Sequence, residues 1–141
     1  MTLKSKLNFL LFIFYAVFLA ALTIFKSLKI FTPELAFIEA SLGGDKLEHF
    51  FLALLLSLLV WPVVWGFNHG RLPKVIVTFF TLLLLVFALL LDELHQFFIS
   101  SRHFDWQDIA FGVAGLLVGL ILRVLIMRFL FLNKLSVVAK K

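Results

Sequence analysis

The chain contains no cysteine, three prolines and one tyrosine, and only 15% of its 141 residues are charged. Without cysteine there is no disulfide framework, no thiolate nucleophile and no thiolate metal site. A Gly-rich phosphate loop, a serine elbow and an HExxH motif are also missing, and Ser100 and Ser101 sit in a loop pattern with no elbow around them. The scarcity of charge excludes an ordinary soluble domain. Hydrophobic residues make up 63% of the chain and mean hydropathy is +1.13, against about 45–50% apolar residues in soluble proteins. The formal net charge of +5 forms no basic stripe with interleaved aromatics, so nucleic acid is not the expected partner. These features describe an integral membrane protein with a single domain over 1–141.

Crossing a hydrocarbon core of about 30 Å takes about 20 residues of helix. Four segments are long and apolar enough: 7–25, 47–67, 75–98 and 106–127, the last with a helical extension towards Leu132. The expected fold is all-α, a four-helix transmembrane bundle whose short connections make neighbouring helices antiparallel. The first run is too long for a signal-peptide core, and no small-residue cleavage site follows it, so it is expected to be a retained span. Thr32 to Ile38 should form a short interfacial helix, with Thr32 as N-cap and Pro33 at N1. Pro62 should kink the second span or end its regular part. Trp61 and Trp65 fit the membrane interface, where indoles concentrate.

Lysine and arginine set the orientation. Lys4, Lys6, Arg71, Lys74, Arg123, Arg128, Lys134, Lys140 and Lys141 fall on one side, and Lys26, Lys29, Lys46 and Arg102 on the other. Nine against four puts both termini in the cytoplasm.

The few charges inside or beside the spans gather at matching ends. Val75–Leu91, apolar apart from two threonines, leads into Asp92-Glu93-Leu94-His95-Gln96. Asp45-Lys46-Leu47-Glu48-His49 opens the second span, and Arg102 to Asp108 precedes and opens the fourth. Helix rise places His49, Glu93 and Asp108 at one level near the outer interface. Glu93 and Gln96 share a face at i, i+3, whereas His95 points nearly opposite to Glu93. Asp108, Gly112, Gly115 and Gly119 fall within a stripe about 60° wide, and glycine on a membrane helix admits another backbone. Asp108 should therefore point into the bundle.

The candidate polar site is Asp45, Lys46, His49, Glu93, Gln96, Arg102, Asp105 and Asp108. Each has a plainer role open to it. Asp105 and Asp45 suit helix caps, Lys46 suits an interfacial side chain reaching for water, and Arg102 suits a clamp between carboxylates. Glu48 and His69 fit solvated positions. His49, Glu93 and an aspartate offer metal-type donors, but their spacing matches no metal motif, so neither metal nor cofactor is expected.

These residues resemble the VanZ-like membrane protein family. Its pattern has Asp-Lys with a His three residues after the Lys, here Asp45, Lys46 and His49. Glu-x-x-Gln follows near the end of the next-but-one apolar segment, with an Arg six residues on, here Glu93, Gln96 and Arg102. An Asp then opens the last span, with Asn four residues later and Gly-x-x-x-Gly beyond, here Asp108, Gly115 and Gly119. Gly112 stands at the Asn position, which removes an amide from the inner wall. The resemblance implies a multi-pass protein of the bacterial cytoplasmic membrane. The family is named for a protein associated with resistance to teicoplanin, a glycopeptide acting on the cell envelope.

Three functions compete. The leading one is a binding module that holds an anionic envelope lipid or lipid-linked precursor at the outer leaflet, with Lys46, His49 and Arg102 meeting the headgroup. The second is an interfacial enzyme, with His49 or Glu93 as base and Asp108 or Glu93 as acid. The third is an assembly protein in which the charges only tie helices together.

Overall fold

In lipid the backbone must satisfy its own hydrogen bonds, so apolar runs of this length become helices. The structure, a computed structural model, describes residues 3–99 and 104–138, and side chains as far as residue 133. Its helices are α1 (Leu3–Ser27), α2 (Thr32–Leu42), α3 (Asp45–Asn68), α4 (Lys74–Phe97) and α5 (Trp106–Val138). The described residues include no strand. Four of the helices are long and apolar enough to cross a membrane.

α3 is the centre. Ala53, Ser57, Val60, Trp61 and Val63 on α3, Tyr15 on α1, and Ile109 and Leu116 on α5 are buried. Most remaining leucines and phenylalanines of α1 and α4 are exposed, as expected where lipid replaces water. The only buried residues of α4 are Glu93 and Gln96. The interior is therefore apolar along α3 and α5 and polar at one end.

Close packing of α3 on α5 depends on the glycine stripe. A Cβ added to Gly115 would lie 2.2 Å from the Phe50 carbonyl oxygen, and one on Gly119 would lie 2.6 Å from Ser57 Cβ. Gly112 instead faces Leu89 of α4, at 2.9 Å from such a Cβ. Ser57 Oγ donates to the Leu116 carbonyl (2.7 Å) and accepts the Trp61 indole N–H (2.8 Å). Contacts also give the directions. Lys46 meets Asp108, and Ser57 meets Leu116, so α3 and α5 run the same way. Phe9 meets Phe67 edge-to-face while Lys26 meets Glu48, so α1 runs opposite to α3. Trp65 Nε1 donates to Thr78 Oγ1 (3.1 Å) across the tight turn between α3 and α4.

Several local expectations are corrected. α3 continues through Pro62 to Asn68 rather than ending there. Trp61 is fully buried on Ser57 and is no interface anchor. Phe31, in the left-handed region at φ 56°, takes the cap position of α2, and Thr32 is already helical with its hydroxyl donating to the Lys29 carbonyl. α2 runs four residues beyond Ile38. It ends where the Gly43 and Gly44 amides donate to Ala40 and Glu39 carbonyls, both glycines at positive φ. An L side chain is strained there, which explains the Gly-Gly pair. The turn delivers Asp45 and Lys46 directly onto α3.

Candidate functional site at the polar end

The C-terminal ends of α1 and α4, the short α2 and the N-terminal ends of α3 and α5 meet at one end of the bundle. Here lies an open cavity of about 630 Å³, within the size range of small-ligand sites. Lys26, Lys29, Glu39, Asp45, Gln96, Asp105 and Asp108 line its polar side, and Ile30, Leu35 and Ala36 its apolar side.

Of the eight residues expected from the sequence, seven are placed here; Arg102 lies outside the described residues. Lys46 Nζ donates to Asp105 Oδ2 and, at 3.2 Å, to Asp108 Oδ1, tying α3 to the start of α5. It is thus engaged with carboxylates rather than reaching for solvent alone. Asp105 caps α5: its Oδ1 accepts the Gln107 amide at 2.8 Å. Its own N–H donates to Glu93 Oε1 (2.7 Å). The hydrogen bond from Lys46, with that from the Gln107 amide, holds the Asp105 carboxyl below its usual value. Glu93, Gln96 and Asp108 are all buried, whereas His95 is exposed. Gln96 Nε2 donates to Asp92 Oδ2 (3.3 Å), and Thr23 of α1 donates to Asp92 Oδ1 (3.1 Å). Asp45 is not the cap of α3. Gly44 holds that position with no side-chain bond, and Asp45 Oδ1 lies 3.6 Å from His49 Nε2 one turn on.

The sequence undervalued two residues. Lys26 counts there only towards orientation. In the structure it is a hub, with Nζ 2.7 Å from Glu48, 3.5 Å from Glu39 and 3.8 Å from Asp45. Glu48, expected in solvent, is 4% exposed because this lysine draws it inward. The available signal was depth: Lys26 ends an apolar run at the level where α3 begins. His49 does not line the large cavity but borders a small one of about 40 Å³, shared with Thr23, Lys26, Glu48 and Asp92, with its Nε2 beside Asp45 at the boundary of the two.

Charge at this end is unbalanced. Among the described residues, Glu39, Asp45, Glu48, Asp92, Glu93, Asp105 and Asp108 gather with Lys26, Lys29 and Lys46. Seven carboxylates thus accompany three lysines. Buried charge is tolerated only when paired, so this end favours cationic company.

No family model, curated protein or solved structure matches the chain.

Proposed function

We propose that the chain is a membrane-embedded binding module whose polar end receives the headgroup of an anionic cell-envelope lipid or lipid-linked precursor. The open cavity carries this reading. A knot of salt bridges that only ties helices together needs no open space of this size, whereas a bound headgroup does. Its mixed wall suits an amphiphile, with Ile30, Leu35 and Ala36 against the apolar part and Lys29 and Gln96 against the polar part. Lys46 is committed to Asp105 and Asp108, and Lys26 to Glu39, Asp45 and Glu48, so among the described lysines Lys29 is the one left to face the cavity, and an anionic headgroup at this acidic end has to arrive with a cation. The charge count in the loops supports an outward-facing cavity in the cytoplasmic membrane. The motif pattern supports a VanZ-like relationship, and with it a role in glycopeptide susceptibility.

Lipid mass spectrometry on the protein purified in mild detergent tests this. Anionic lipid should be enriched over the bulk membrane. Ala36→Trp, a substitution at an exposed cavity-lining position, should remove it without lowering thermal stability. Equal lipid content in both proteins would refute the module.

A second reading, acid–base chemistry on the headgroup, is favoured by the proximity of a carboxylate to an imidazole, Asp45 Oδ1 lying 3.6 Å from His49 Nε2. Glu93 is a poorer base, since it already accepts the Asp105 amide. Headgroup turnover by the purified protein, abolished in His49→Ala, separates this from simple binding.

A further inference from the structure

Among the described residues two sets of three metal-type donors lie at the polar end, and they differ in one respect. Glu39, Asp45 and Glu48 bring their oxygens within 4.8 Å of one another, but the Lys26 ammonium lies within 3.8 Å of all three. That set already has its cation. Asp45, His49 and Asp108 also converge within 4.8 Å. Here the lysine contacts are divided, Lys26 at 3.8 Å from Asp45 and Lys46 at 3.2 Å from Asp108, and among the described residues no single ammonium lies on all three groups. We propose that Asp45, His49 and Asp108 bind one divalent transition-metal ion.

The placement follows from the fold. Asp45 and His49 are one turn apart on α3, so they share a face. Asp108 comes from α5, which runs alongside and is held close by Gly115 and Gly119. The set therefore bridges two helices whose spacing is fixed by packing rather than by loops. One imidazole with two carboxylates is a nitrogen–oxygen donor set of the kind that zinc, manganese and iron accept, and it holds none of the thiolates that select softer ions. Two carboxylates this close repel, and Asp108 is almost wholly buried. An ion between them removes that repulsion. Lys46 Nζ lies 3.2 Å from Asp108 Oδ1, close enough to orient that carboxylate as a partner behind a ligand does.

Three protein donors leave coordination positions free, as in metal sites that take a further ligand. Asp45 and Asp108 line the large cavity, so those positions open towards it. This gives the acidic cavity a means of holding a phosphate. That consequence rests on the headgroup reading above, but the metal site itself does not.

The full chain in detergent, stripped with a chelator, is titrated with Zn2+ and with Mn2+ by calorimetry, and Mn2+ binding is followed by paramagnetic resonance. One ion per chain is expected. Asp45→Asn and His49→Gln should weaken binding at least about tenfold, while His69→Ala and His95→Ala, both exposed positions, leave it unchanged. No binding at millimolar metal would overturn the site, and so would loss of binding only in the exposed-histidine variants. Should His49→Gln not fold, the partly exposed Asp45 makes Asp45→Asn the deciding variant. Retention of phosphatidylglycerol from mixed vesicles is then compared with and without metal. Metal-dependent retention supports the bridge to phosphate. Retention that ignores metal overturns the bridge and leaves the headgroup reading intact, and absence of retention with metal bound overturns the headgroup reading while the metal site stands.

Discussion

Lys26 at the end of α1 donates to Glu48 at the start of α3 across 2.7 Å, and the Glu48 side chain is 5% exposed. Removing one partner of a buried pair leaves a charge without compensation and costs about 3–5 kcal/mol. Glu39 and Asp45 give Lys26 alternative partners, whereas among the described residues Lys26 is the ion-pair partner of Glu48. Lys26→Met should therefore destabilise more than Glu48→Gln, and the double variant Lys26→Met/Glu48→Leu should recover much of the loss. Thermal midpoints in one detergent measure all three. Additive losses in the double variant would show that the pair is not a coupled unit.

The glycines predict a graded series. Gly115→Ala places a methyl 2.2 Å from a backbone oxygen, which only separation of α3 and α5 relieves. It should be severely destabilising, by several kcal/mol. Gly112→Ala meets the flexible end of Leu89 and should cost about 1 kcal/mol or less. Gly66→Ala meets nothing within 4 Å and sits inside α3, so it should be neutral or stabilise by up to about 1 kcal/mol. A Gly115→Ala protein as stable as Gly66→Ala would contradict the helix contact that aims Asp108 inward.

Periodicity made much of this visible in the sequence. Four apolar runs separated by short polar connections give the long helices, and the spacing of Asp108, Gly112, Gly115 and Gly119 marks one face of α5. Glu93 and Gln96 follow from i, i+3 geometry in the same way. What sequence spacing does not carry is the tertiary choice of partner. Lys26 and Glu48 looked like ordinary terminal charges because they lie 22 positions apart, and nothing local tied Asp92 to Thr23, 69 positions away. Trp61 looked like an interface residue because nothing local announces that Ser57 will bury it. Helix ends were also hidden at Phe31, where the chain takes a left-handed turn on a residue that rarely adopts one.

Asp105 predicts an acid-sensitive contact. The Lys46 hydrogen bond depresses its carboxyl from the usual 3.8. A carboxyl that is more acidic when folded stabilises the fold above its ordinary value, and that contribution disappears as pH falls through the lower, folded value. Acidification from about pH 5 to 3 should therefore lower the thermal midpoint of the native protein more steeply than that of Asp105→Asn. The difference should be small, because the contact is solvent-accessible. Parallel curves for the two proteins would remove Asp105 from the acid response.

The last prediction concerns sidedness, and the absence of cysteine makes it direct, since any introduced thiol is unique. Ser41 is exposed near the end of α2, on the cavity side of the bundle, and Ser41→Cys changes little in size. Leu72 is exposed in the turn between α3 and α4, at the opposite end. α3 lies between the two positions and is long and apolar enough to cross the membrane, so they should lie on opposite sides. Arg71 and Lys74 flank Leu72, and basic turns stay in the cytoplasm. In intact cells an impermeant maleimide should therefore label Ser41→Cys and spare Leu72→Cys until the membrane is opened. The reverse pattern would turn the cavity towards the cytoplasm and end the outer-leaflet headgroup proposal. Labelling of both from one side would mean that α3 does not cross, and the four-span bundle would fall with it.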